Sequence, residues 1–177
     1  MTEFSKIRIA NIDDAIYVQE VLDDAKALFR SEGSDQWQDL DNYPNINTTI
    51  SDINKKQMYV YEIDKKVVGC IVLSKEKEEA YNKVYNGKWI EENNYYVIHR
   101  LSVRNGYYKK GIAKALINYA ESITKKDNVK SIKVDTKKEN IRMLSLLKTL
   151  GFKEVGIIHL LRKDVLDVKR VALEKTL

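Results

Sequence analysis

Between Tyr95 and Leu116 the chain reads YYVIHRLSVRNGYYKKGIAKAL. The pattern predicts a strand ending at Val103, a short polar loop with Gly106, Lys109, Lys110 and Gly111, and a helix that begins at once. Glycine and lysine against a helix N-terminus make a place for phosphate. The first backbone N–H groups there lack intrahelical partners, and the helix dipole adds partial positive charge. Gly111 stands where loop becomes helix, and with no Cβ it lets an anion approach the backbone. Ala113 keeps the first turn small, and Lys109 and Lys110 add point charges. An ordinary left-handed turn with solvated lysines would use the same letters, so the loop alone leaves both readings open. His99 can take a proton near neutral pH, or it can be a buried histidine bonded to neighbouring backbone or to a tyrosine. On a strand, positions 97, 99, 101 and 103 share a face.

The elements that must position these groups follow from periodicity. Ile7 and Ile9 predict a first strand, and Asp13 or Asp14 a cap for a helix with Val18, Val21, Leu22, Ala25 and Leu28 on one face. Ser31 to Asn45 reads as a loop that holds Trp37, Tyr43 and the single proline, Pro44. A weaker helix is expected over 48–57. Strands are expected over 58–63 and 67–73, joined by a turn at Asp64-Lys65-Lys66. Ser74 to Asn94 is charged, with Tyr81, Tyr85 and Trp89 scattered through it, and reads as a long loop or insertion. Past the helix after Gly111, a strand is expected over 131–136 and a helix from Asn140 that Gly151 ends. Two closing strands are expected over 152–161 and 168–173. The order β-α-α-β-β-β-α-β-α-β-β predicts an α/β fold, a mixed sheet with helices on both faces.

A chain of 177 residues suits one domain over 1–177, with a possible insertion at 74–94. Hydrophobic residues make up 44% of it, enough for a packed core, and charged residues 32%. No apolar run approaches the roughly 20 residues of a membrane span. The start MTEFSKIRIA predicts no signal peptide, and a single cysteine, Cys70, fits a reducing, cytoplasmic setting. Two histidines and one cysteine are too few for a zinc site, so no metal is expected. Cys70, inside a predicted strand, reads as a small core residue. Glu62 and Glu92 are available as bases acting through water, although no pattern favours them. The net charge of +5 suits an anionic ligand. The basic residues are dispersed, without the aromatic-interleaved stripe that an RNA- or ribosome-associated protein would show.

Two motifs in order sharpen the picture. Leu101-Ser102-Val103 followed by Tyr108-Lys109-Lys110-Gly111-Ile112-Ala113 resembles the central motif of the GNAT (GCN5-related N-acetyltransferase) superfamily, Gln/Arg-x-x-Gly-x-Gly/Ala after a strand end. Tyr108 replaces the usual Gln or Arg, which removes one side-chain donor. Downstream, Asn140, Leu146, Gly151 and Phe152 match the family's Asn-x-x-Ala-x-x-Leu-Tyr-x-x-x-Gly-Phe. The resemblance implies a GNAT-type acyl-CoA N-acyltransferase fold and an enzyme that moves an acetyl group from acetyl-CoA to a primary amine by direct attack. It implies that Leu101, Ser102 and Val103 line the pantetheine arm, that residues 108 to 113 hold the diphosphate, and that Asn140 contacts coenzyme A. Taken alone, Asn140 reads better as a helix N-terminal residue. The Leu101 N–H would polarise the thioester carbonyl, and His99 would sit on the amine side as a base. Trp37 and Tyr43 fall in the region that lines the family's acceptor pocket, or they pin the loop. The main departure is Leu147, where many relatives carry a tyrosine that protonates the departing thiolate; leucine cannot do so. A coenzyme A-binding sensor or scaffold without transfer therefore stands as the alternative. The implied partner is a small-molecule or peptide amine, for a monomer or homodimer.

Overall fold

The structure, a computed structural model, describes residues 4–162 and 167–177. Seven strands form one mixed, open sheet, which matches the expected α/β class: β1 (Ser5–Ile9), β2 (Met58–Ile63), β3 (Lys66–Ser74), β4 (Tyr95–Val103), β5 (Ser131–Thr136), β6 (Lys153–His159) and β7 (Lys169–Thr176). Their order is β1-β2-β3-β4-β5-β7-β6. The helices are α1 (Ala15–Ser31), α2 (Ile46–Asn54), α3 (Ile112–Lys126) and α4 (Ile141–Thr149). Contacts divide the chain into two units, residues 1–73 with 99–120, and residues 74–98 with 121–177.

In the first unit, β1 and β2 are antiparallel, as are β2 and β3. The β2–β3 turn is two residues, Asp64 and Lys65, both left-handed (φ 46° and 67°), the geometry that matches the twist of a hairpin. The predicted α1 stripe is buried at Val18, Val21, Leu22 and Ala25, the first three in one core cluster with Met58, Val60, Cys70 and Val72. Leu28 is only half-buried, and Phe29 takes the inward place instead. The 3₁₀ turn Ile12–Asp14 that leads into α1 is capped by Asn11 and Asp14. The Asn11 side chain accepts from Asp13 N (2.9 Å), and Asp14 Oδ2 accepts from Asn11 N (2.8 Å). α2 begins two residues earlier than periodicity suggests, because Asn45 caps it by accepting from the N–H groups of Asn47 and Thr48.

Arg8 joins three elements of this unit. It donates to both oxygens of Asp14 (2.7 and 2.9 Å) and through Nε and Nη2 to Glu62 (3.0 and 2.7 Å). The hydrogen bonds from Arg8 hold the Glu62 carboxyl below the usual range against the opposing effect of burial. Glu62, which sequence left available as a base without favouring it, is thus tied up as an ion-pair partner. For Asp14, burial would raise the carboxyl, but the bonds from Arg8 and the Asn11 backbone more than offset it, so its pKa is also lowered.

In the second unit, β4 and β5 run parallel, while β7 pairs antiparallel with both β5 and β6. α4 ends as expected: Phe152 N donates to Leu147 O (3.0 Å), Gly151 N donates to Lys148 O (3.0 Å), and Gly151 has φ 90°. Residues 74–94 hold one 3₁₀ turn (Glu79–Asn82), and their aromatics are built in rather than scattered. Tyr81 is buried and donates to Asp135 (2.7 Å), and Trp89 Nε1 donates to the Tyr81 carbonyl (2.8 Å). Glu174, fully buried, accepts from Ile90 N, Glu91 N and Ser131 Oγ. The Lys133 ammonium lies 3.6 Å from the Tyr95 ring centre and 4.4 Å from that of Trp89, and burial pushes it down to about 8.

Depressed carboxylates stabilise the fold above their unfolded-state values, here near 4.5 for Glu62 and 3.8 for Asp14. That stability is lost as pH falls through the lower folded-state values. Urea titrations should therefore give a flat unfolding free energy from pH 7 to about pH 5 and a progressive fall below it. In Arg8→Ala, which removes the strongest of the interactions that lower both carboxyls, this acid-side slope should flatten.

Candidate active site

The strand β4 leaves ideal geometry at one residue. Arg100 is left-handed (φ 53°), which for a residue with a side chain costs about 1–3 kcal/mol and breaks the two-residue alternation. His99 therefore does not share a continuous strand face with Leu101 and Val103, contrary to the parity expectation.

The Arg100 side chain is largely buried, and each of its three nitrogens donates a hydrogen bond. Its Nε and Nη2 donate to the two oxygens of Asp52 on α2 (2.6 and 2.7 Å), and Nη1 donates to the Tyr43 hydroxyl (2.5 Å). Burial alone would pull the guanidinium down; Tyr43 and Asp52 more than offset this, and it stays charged. From β3, the Cys70 thiol points at the Arg100 carbonyl (3.5 Å). Cys70 is completely buried, and burial pushes its thiol up to about 12, which leaves it a core residue and no nucleophile.

Beyond Val103 the chain turns out of the sheet. Arg104 N makes a last bond to Val68 O (2.8 Å), and Tyr107 N closes a turn on Arg104 O (3.1 Å). Two acidic side chains of α1, one turn apart, hold this loop. Glu20 accepts from the Arg104 guanidinium, and Asp24 Oδ2 accepts from Asn105 N (2.9 Å). Left-handed residues recur at Gly106, Lys109 and Gly111 (φ 85°, 60° and 78°). The Lys66 and Lys110 ammonium groups lie 5.5 and 5.0 Å from the Tyr107 ring centre. The first intrahelical bond of α3 runs from Ala115 N to Gly111 O (2.9 Å), so the N–H groups of Ile112, Ala113 and Lys114 precede the helical ladder. A Cβ on Gly111 would meet nothing within 4 Å, which leaves open space over that helix end.

The helix end is seated by a second glycine. A Cβ on Gly69 of β3 would lie 2.8 Å from Ile112 Cγ2 and 3.2 Å from Leu116 Cδ1. Ile112 and Leu116 are buried there, and only a residue without a side chain lets α3 come so close.

Among the residues expected from sequence, Leu101, Val103, Tyr108 and Ala113 are half-buried, Ser102 and Ile112 are buried, and Lys109, Lys110 and Gly111 are exposed. Trp37 stacks edge-on against Phe29 (5.4 Å) and packs on the core of the first unit, which pins its loop. Asn140, in the second unit, caps α4. Its side chain accepts from Met143 N (3.4 Å) and donates to Thr136 Oγ1 (3.0 Å). Leu147 is fully buried in α4. Arg100, Asp52, Glu20, Asp24 and Gly69 carry no motif in sequence; the spacing of Glu20 and Asp24 is the only local hint, since it puts two carboxylates on one helix face.

Residues 18–152 match the model of the acetyltransferase (GNAT) family. The chain belongs to the GNAT acetyltransferase family. It is similar to the N-acetyltransferase YesJ of Bacillus subtilis strain 168, 23% identical over 180 residues that cover 93% of this chain and 98% of that one. Among solved structures it resembles a GNAT acetyltransferase of Streptococcus agalactiae 2603, 28% identical, covering 98% of this chain and 95% of that one, at a TM-score of 0.85. The PaiA N-acetyltransferase of Thermoplasma acidophilum, solved in complex with coenzyme A, shares the fold at 20% identity, 98% and 99% coverage and a TM-score of 0.69. The protein is thus an acyltransferase enzyme of a family that uses acetyl-CoA.

The two glycines separate packing from backbone strain. Gly69→Ala forces Ile112 to move and should lower unfolding stability by about 1–3 kcal/mol through overpacking. Gly111→Ala meets no atom and should cost about 1 kcal/mol through its left-handed backbone alone. Urea denaturation of both variants, compared at equal slope, checks the order.

Proposed function

We propose that this enzyme transfers an acetyl group from acetyl-CoA to a primary amine by direct attack, with both substrates bound together. The observation that carries this reading is the open helix end at Gly111, at the close of the loop that leaves β4. Backbone N–H groups of residues 108–113, the dipole of α3, and Lys109 and Lys110 are the groups assigned to a diphosphate. With the diphosphate held there, the backbone of Leu101 to Val103 is assigned to the pantetheine arm, as one strand pairs with another. Bound acetyl-CoA supplies an activated acyl group. The Leu101 N–H, immediately after the left-handed Arg100, is assigned to the acyl oxygen, where it can stabilise developing negative charge. His99 is assigned to removal of a proton from the amine, and Asn140 to a further contact with coenzyme A. Holding two reactants in order supplies much of the rate, so no covalent enzyme intermediate is needed. The acceptor is assigned to the side of Trp37 and Tyr43, and its class is a small molecule or peptide bearing a free amine.

Leu147 has no proton to give, so departure of the thiolate draws on solvent or on another group. An enzyme of this kind works without a dedicated acid if the free thiol is formed by water.

Calorimetric titration with acetyl-CoA should show one binding site, and a panel of amines should show thiol release with at least one member. In Gly111→Ala the added methyl points into the space assigned to phosphate, and Kd for acetyl-CoA should rise about tenfold, worth about 1.4 kcal/mol. His99→Ala should lower kcat and remove the acidic limb of its pH profile. Absence of acetyl-CoA binding by folded protein would overturn the reading; binding without thiol release for any amine would favour a sensor.

A further inference from the structure

We propose that Arg100 is a positioning residue for acyl transfer, joining the loop at Tyr43 to the kink that precedes Leu101. The inference rests on the reading of the Leu101 N–H given above. Three segments of the first unit meet β4 at this one residue. Asp52 of α2 takes two of its donors, Tyr43 of the α1–α2 loop takes a third, and Cys70 of β3 faces its carbonyl. The charge is neutralised within the protein by the paired carboxylate, so Arg100 is not a receptor for an anionic substrate. What remains for it is geometry.

That geometry is unusual at both ends of the residue. Its backbone is left-handed in the middle of a strand, a conformation that persists only where surrounding bonds impose it. Its side chain supplies those bonds, since a planar guanidinium held by three hydrogen bonds to two partners cannot turn without losing them. The next N–H along the chain is that of Leu101. The aim of this N–H and the place of Tyr43 are thereby set by the same rigid group. A lysine keeps the charge but offers a single point in place of the fork, so it cannot satisfy Asp52 and Tyr43 together.

The test uses the full chain, acetyl-CoA and the best amine of the panel, with wild type, Arg100→Lys, Tyr43→Phe and the double variant. In Arg100→Lys, kcat should fall about 100-fold, the scale of a small misplacement of reacting groups. Its acetyl-CoA Kd should stay within about twofold of wild type, which separates transfer from binding. Tyr43→Phe, which keeps the Asp52 pair, should lower kcat about tenfold, and the double variant should be no worse than Arg100→Lys, because both act through one unit. If Arg100→Lys fails to fold, Tyr43→Phe carries the test with the same kcat and Kd measurements. Lower melting temperature with kcat and amine KM unchanged in both single variants would reduce Arg100 to a structural role. Wild-type protein that binds no acetyl-CoA would overturn the underlying reading and this inference with it; wild-type turnover with unaffected variants would overturn the inference alone.

Discussion

A guanidinium removed from water must be given a counter-charge and a partner for each exposed donor, or the fold cannot hold it. Arg100 meets that requirement with residues far away in sequence, Asp52 and Tyr43. The requirement is severe because breaking a buried pair leaves an uncompensated charge, at a cost of about 3–5 kcal/mol. It decides where the C-terminal part of α2 lies, where the 41–45 loop is held, and how β4 bends beside β3. The kink in β4 is therefore a consequence of side-chain bonding more than of any local preference in Ile98-His99-Arg100-Leu101.

The loop after β4 is fixed by a different kind of constraint. Gly69 removes a side chain where α3 must approach the sheet, so Ile112 and Leu116 seat the helix by contact alone. Glu20 and Asp24 then hold the loop from the side of α1, by accepting from Arg104 and Asn105. Apolar contact sets the helix position, and ionic contact sets the loop that leads into it. The proposed site thus rests on a strand end and a helix start, and elements of this kind present backbone N–H groups as ready-made donors.

The second unit shows how a charged insertion can be structural. Residues 74–94 read in sequence as a long loop or insertion, charged and with scattered aromatics. Their anchors are single side chains reaching distant strands: Tyr81 to Asp135, and Glu174 to the N–H groups of Ile90 and Glu91. None of these pairs is adjacent in sequence, and each joins ordinary residue types. Lys133, buried under Trp89 and Tyr95, shows the same limit, since nothing about a lysine in a strand marks it as buried.

The amino-acid sequence by itself determined the element order, the ends of β4 and β5, the caps at Asn140 and Gly151, and the position of the glycine-bearing loop at the head of α3. These features depend on periodicity, caps and turn residues, which act within a few positions of the chain. Two spaced motifs were also enough to indicate the family. Tertiary structure alone decided that Glu62 is paired with Arg8, that Trp37 leans on Phe29, and that Arg100 interrupts β4. It also decided which glycine receives a helix and which stands open. The physical reason is the same in each case: these outcomes depend on which distant side chain fills, pairs or leaves empty the space beside a residue, and local sequence does not record that.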